Sequence, residues 1–189
     1  GVRRQTSGDG TVVDYSVTTL DVTTGPSSTL SFSMDGANGE MLRASGSFEI
    51  ELFSFFSTSG SLALEKKSDS VILDDGSTAD VNVLSIGGTN LEAFAGVGDI
   101  GLELSGVEFG LYLAGDANDS SRSWTGLEAS ASSVSFVGVD GLTVSANNLS
   151  VEINTAAADG SLIDFAESNV EIPTGTSSLV TLTMAAIDG

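Results

Sequence analysis

Apolar residues alternate with polar ones along almost the whole chain, and no stretch sustains a helical period, so the backbone is restricted to β structure. In SFEIELF, Phe48, Ile50 and Leu52 share one face while Glu49 and Glu51 share the other. GLELSGVEFGLYL repeats the pattern, with Leu102, Leu104, Val107, Phe109, Leu111 and Leu113 predicted inward and Glu103 and Glu108 outward. NLSVEIN does so again with Leu149, Val151 and Ile153 against Ser150 and Glu152. Such segments predict half-buried strands with one wet face. NLEAFAG near Asn90 has room for a single helical turn and nothing longer.

The chain also repeats itself. Asp9 to Met34, DGTVVDYSVTTLDVTTGPSSTLSFSM, returns as Asp159 to Met184, DGSLIDFAESNVEIPTGTSSLVTLTM, displaced by 159 − 9 = 150 positions. Asp9/Asp159, Gly10/Gly160, Asp14/Asp164, Thr24/Thr174, Gly25/Gly175, Ser27/Ser177, Ser28/Ser178 and Met34/Met184 are identical pairs. Val13/Ile163, Tyr15/Phe165, Leu20/Val170, Val22/Ile172 and Leu30/Val180 keep their character, so turn residues and apolar register are preserved together. The spacing predicts a flank at 1–8, one full repeat unit at 9–158 and the start of the next at 159–189. On that reading the chain stops where the unduplicated middle would begin again, as a cut through a continuing array would.

Turns are written in Asp, Gly, Asn and Ser. DDGST, Asp74 to Thr78, predicts a tight hairpin, and GVDGL, Gly138 to Leu142, offers a second Asp-Gly. Shorter segments from Leu42, Phe56, Leu102, Leu127 and Leu142 share a strand, a Ser-Gly or Ser-Ala break and another strand. Small residues at such breaks let a strand turn a corner or let two layers approach. The fold predicted is therefore all-β and elongated, a β-solenoid-like repeat architecture in preference to an antiparallel β-sandwich module. The DDGST hairpin requires antiparallel pairing somewhere in it.

Charge narrows the partners. With 26 acidic residues against 6 basic ones, the net charge of −20 repels nucleic-acid phosphates and anionic membranes. Yet 40% of residues are apolar, which is the composition of a folding chain and not of an acidic tail. There is no cysteine or histidine, so disulfides, thiolate or imidazole metal sites and a Ser-His-Asp relay have no residues to build them. No apolar run approaches the roughly 18 residues a membrane-spanning helix needs. GVRRQTSGDG lacks the apolar core of a signal peptide, which places any export address outside this segment.

Local site candidates are few. In GDANDSSRSW, Asp116, Asn118 and Ser120 stand at alternate positions with Asp119 adding a carboxylate, an arrangement of oxygens that calcium loops use, set against a plain Asx-rich turn braced by Arg122. DDGSTAD, with Asp74, Asp75 and Asp80, is a weaker version of the same. Asp14 and Asp164 occupy one repeat position between apolar neighbours, where a carboxylate caps a turn, marks the wet face of a strand or holds a cation at the junction between units. Trp124, the only tryptophan, is either a sugar-stacking platform or the plug of a β core. Phe48, Phe53, Phe55 and Phe56 read as core, with adjacent Phe55 and Phe56 pointing to opposite faces. No pair of carboxylates stands out among the 26 acids as a glycosidase pair would.

Taken in order, TVVDY, LRASGSF, GSLALEK, LSGVEFGLYLA, RSWTGLEA, SVSFVGVDGLTVSANNLSVEIN and DGSLIDF resemble the repeat units of very large, acidic, secreted bacterial proteins of the RTX and giant-adhesin kind. The resemblance runs from about Asp9 onward. It implies an extracellular or cell-surface protein, calcium-dependent in many relatives, acting in adhesion, biofilm or surface-layer formation. The nonapeptide GGxGxDxUx that carries the family's calcium roll is absent here, and no site residue transfers from the family. The function expected is that of a non-catalytic structural or adhesive unit whose partners are neighbouring copies of itself, with no cofactor required. A calcium- or glycan-binding β module is the alternative, and a carbohydrate-active enzyme the third.

Overall fold

A computed structural model describes residues 2–5, 11–52 and 56–186. It is an all-β protein built on one large antiparallel sheet. The strands are β1 (Val2–Gln5), β2 (Leu20–Gly25), β3 (Ser28–Phe32), β4 (Met41–Leu52), β5 (Phe56–Ile72), β6 (Thr78–Val97), β7 (Ile100–Asp116), β8 (Ser123–Val137), β9 (Val144–Thr155), β10 (Glu171–Pro173) and β11 (Leu179–Thr181). A single helical turn, α1 (Phe165–Ser168), follows Asp164. The main sheet has the order β1-β4-β5-β6-β7-β8-β9, and β2-β3 and β10-β11 form two separate small hairpins.

From β4 to β9 each strand pairs with the next in sequence, so the sheet is a meander with no stacked coils among the described residues, and it is not closed. Two of its hairpins form at the predicted turns, DDGST between β5 and β6 and GVDGL between β8 and β9. At the first, the Asp75 carboxylate receives the Ser77 amide at 2.8 Å.

The Ser-Gly breaks are not corners. They lie inside strands of 12 to 17 residues, well beyond the usual strand length, and two of them are bulges. The β5–β6 register slips between Ser59 and Ser61, and Gly106 takes a φ of 57° in β7, conformations that let so long a sheet twist without losing its pairing. NLEAFAG forms no helical turn: it lies within β6, where Asn90 takes a φ of 52° at a slip in the β6–β7 register and Leu91 is buried.

The main core cluster sits on one face, over one end of the sheet. Val71, Leu73, Val81, Val83, Tyr112, Ala114 and Trp124 from β5 to β8 and the β5–β6 turn meet Ala157, Ile163, Phe165, Val170, Ile172, Leu182 and Met184 from the C-terminal segment. The opposite face carries an apolar row of directly paired residues, Ala44, Leu64, Ile86, Leu111, Leu127 and Ile153, crossing six strands. Alternation in GLELSGVEFGLYL and NLSVEIN marks this second face, and Leu102, Leu149, Val151 and Ile153 are exposed, not inward as predicted. Period two separates the faces of a strand without saying which one is covered. Phe53 and Phe55 lie outside the described residues, as do the side chains of Ile50, Leu52 and Phe56.

Candidate interface: the duplicated segment and its seat

The hairpins of the two copies fold alike, although the turn before them is helical only in the second. In β2-β3, Asp21, Val22 and Thr23 face Ser31, Leu30 and Thr29; in β10-β11, Glu171, Ile172 and Pro173 face Thr181, Val180 and Leu179, the same register moved by 150. Thr24 Oγ1 donates to Ser28 Oγ at 3.0 Å, and Thr174 Oγ1 to Ser178 Oγ at the same distance. Asp14 and Asp164 each cap a local turn: Asp14 receives the Ser16 amide at 2.9 Å, and Asp164 receives the Glu167 amide at 3.2 Å as the N-cap of α1. Bonds from the Ser16 hydroxyl and amide hold the Asp14 carboxyl below its ordinary pKa. Among the described residues no three acidic side chains converge as metal ligands.

The second copy is seated on the sheet. Its first segment adds to the end of β5 by backbone bonds: Asp74 N donates to Leu162 O at 3.0 Å and Asp164 N to Ile72 O at 2.9 Å, with Leu73 and Ile163 bridged between them. Ser168 Oγ receives the Ile72 amide at 2.9 Å. Three glycines of the sheet admit the segment. Side chains at Gly87, Gly110 and Gly126 would overlap Pro173 O, Val180 Cγ1 and the Phe165 ring. Gly87 and Gly110 are direct partners, and Gly126 lies beside Tyr112, whose ring meets Phe165 edge-on at 5.7 Å. At the far end, Glu128 receives the amides of Thr183 and Met184.

Arg122 and Trp124 close the near end. Arg122 Nη1 pairs with Asp116 Oδ2 and its Nε with Asp159 Oδ2, both at 2.9 Å, while its guanidinium carbon lies 4.9 Å from the Trp124 ring centroid. The loop predicted as a calcium candidate is thus braced internally. Asp116 Oδ1 receives the amides of Asn118 and Asp119, Asp119 receives the Ser121 amide and hydroxyl, and Ser120 is exposed. Trp124 is 2% exposed and donates from Nε1 to Ser161 O at 3.0 Å, so the sugar-stacking role predicted for it has no free ring face; it is a plug between sheet and second copy.

A buried charge group lies beside this seat. Glu65 is covered, accepts from Arg43 and lies 3.8 Å from Lys67 Nζ, which also pairs with Asp69 at 3.2 Å. Of the chain's six basic residues, Arg43, Lys67 and Arg122 are therefore engaged in holding acids of the capped face. Glu65 went unnoticed in the sequence because alternation marks it as one more wet carboxylate. Its neighbours in space come from strand pairing with Arg43, a relation no local pattern encodes.

The first copy has the same hairpin, and among the described residues its apolar face is exposed. Val13, Leu20 and Val22 are 59%, 46% and 40% exposed, whereas their equivalents Ile163, Val170 and Ile172 are 0%, 5% and 0%. Within that copy Tyr15 packs on Phe32 at 5.8 Å, and Met34 is buried. The sheet and its segments define an all-β unit with one capped and one bare apolar face. The chain matches no family model, no curated protein and no solved structure.

Proposed function

We propose that this chain is a non-catalytic structural unit of a large, acidic, extracellular or cell-surface repeat protein, working in a filament or adhesive fibre whose partners are neighbouring copies of the unit. The observation that carries the reading is the duplication at 150 residues, whose two copies share hairpin register, turn cap and Thr–Ser bond. A segment that keeps its fold in two settings is a reusable joint, and joints of that kind belong to elongated arrays. A net charge of −20 keeps such arrays apart from one another in solution, and the lack of cysteine removes the hazard of cross-linking between many exposed copies. Strands of up to 20 residues supply the stiffness through backbone bonds.

The parent coding sequence tests this directly. Further copies at about 150-residue spacing are expected on at least one side of the segment. A parent in which the segment occurs once, with no further copy, overturns the reading.

A further inference from the structure

The first copy has an exposed apolar face whose equivalent, 150 residues later, is buried in the chain's own core. We propose that Thr11–Met34 is the cap of another unit's sheet, seated on the β5–β8 face of a neighbouring copy as the second copy is seated on its own. The proposal deepens the array reading and rests on it.

Three observations identify the occupant. The buried set of the second copy, Ile163, Phe165, Val170, Ile172 and Leu182, has apolar counterparts at every position of the first, Val13, Tyr15, Leu20, Val22 and Phe32. The seam is made largely of backbone bonds, from Asp74, Leu162, Asp164 and Ile72, and a seam of that kind accepts a changed sequence. Where side chains take part, the first copy has the matching group: Asp9 for the Asp159 that pairs with Arg122, and Thr18 for the Ser168 hydroxyl that meets Ile72.

The chain path agrees. Each copy begins four residues after a strand of the main sheet, Asp9 after Gln5 of β1 and Asp159 after Thr155 of β9. β1 is held at the β4 edge, so a preceding unit whose last strand ran into the first copy would lie beside that edge. Such a contact is head-to-tail and open-ended, which generates filaments and not closed oligomers. The unit that packs as one body then comprises the sheet from Met41 and the cap that ends at Met184.

One position differs in size: Phe165 lays its ring tip against Gly126, where Tyr15 would add a hydroxyl, so the graft carries Phe there.

Trp124 reports on the seat, because its indole is buried beneath the second copy and bonded to Ser161 O. The test is a full-length chain in which residues 161–184 are replaced by the sequence of 11–34 with Phe at the Tyr15 position, beside a control in which 161–184 are scrambled. The graft is expected to keep the blue-shifted, quencher-protected Trp124 emission and a Tm within about 5 °C of the native chain, while the scramble shifts emission to the red and lowers Tm by more than about 10 °C. A graft that behaves as the scramble overturns the docking proposal, and so does a scramble that behaves as the native chain. In a second arm, the scrambled chain with Tyr15→Phe should form concentration-dependent head-to-tail oligomers by light scattering, lost on adding Val22→Asp and Leu30→Asp; oligomers that persist in that variant count against the proposal. Further repeats in the parent together with a failed graft would sink the docking alone. A parent without repeats would sink the array reading whatever the graft does.

Discussion

The indole Nε1 of Trp124, at the start of β8, donates a 3.0 Å hydrogen bond to the carbonyl of Ser161, the third residue of the repeated segment. The bond ties the main sheet to the second copy of the repeat. Trp124→Phe removes one of that carbonyl's two donors, the Ala157 amide at 2.9 Å being the other, and shrinks the plug, so a loss of about 1–3 kcal/mol is expected in urea unfolding followed by circular dichroism. An unchanged midpoint would show that the second copy is held without it.

Gly126, like Gly87, is a point where sheet and cap approach too closely for a side chain. Gly126→Ala places a methyl into the Phe165 ring, and a loss of about 1–3 kcal/mol follows from overpacking. Gly46, on β4, has open space where its side chain would be, and Gly46→Ala is expected to change stability by less than about 0.5 kcal/mol. Equal effects at the two positions would refute close packing at Gly126.

Arg122 bridges Asp116 and Asp159 and lies over Trp124. Arg122→Ala should cost about 1–2 kcal/mol and leave Trp124 more open to acrylamide quenching, since the guanidinium covers its ring. Because the two pairs are only part-buried, about half of the loss should vanish in 1 M salt. A salt-independent loss would assign the effect to packing alone.

Tyr112 gives the fold an alkaline limit. Burial, then the charge of Asp69 and the bond its hydroxyl makes to Asp69, raise the phenol's pKa well above its ordinary value. An unfolded phenol ionises near pH 10, and the folded one does not, so the stabilising difference is present below pH 10 and is lost as pH rises above it. The urea midpoint should therefore fall above about pH 10, and Tyr112→Phe should flatten that fall. Identical alkaline profiles in the two proteins would remove Tyr112 as the cause.

Calcium has a direct check. The Asp116 oxygens are already engaged by two backbone amides and Arg122. Adding millimolar calcium, or EDTA, is expected to move Tm by less than about 1 °C, since a ligand stabilises only by binding the folded chain. A rise of several degrees with calcium would instead show that the loop rearranges around the ion.

Much of the strand content was legible because alternation and turn chemistry are local. DDGST and GVDGL are hairpins for the reason their residues suggest, and Asp14 and Asp164 cap turns because a short carboxylate beside free amides does so in any context. The helical turn at Phe165–Ser168 was missed: four residues are too few to show a period, and its signal, Asp164 as N-cap, looked the same as Asp14. Trp124 was weighed as platform or plug, and only its lid, Ser161 with Arg122, decided between them. The strongest alternations, in β7 and β9, pointed to the bare face. The capped face is built from more mixed residues, from Ala114 and Glu65 to Tyr112 and Trp124, with glycines where the cap comes closest.

By itself the sequence determined that this protein is all-β, where its tight turns fall and that one segment occurs twice, because each of these depends on neighbours within a few residues or on direct comparison of residue types. Only the tertiary structure decided that the second copy is buried and the first exposed. Burial depends on which surface lies opposite, and for Ile172 that surface is β6 and β7, some 60 to 85 residues earlier in the chain, while among the described residues Val22, with the same hairpin and register, is left 40% exposed.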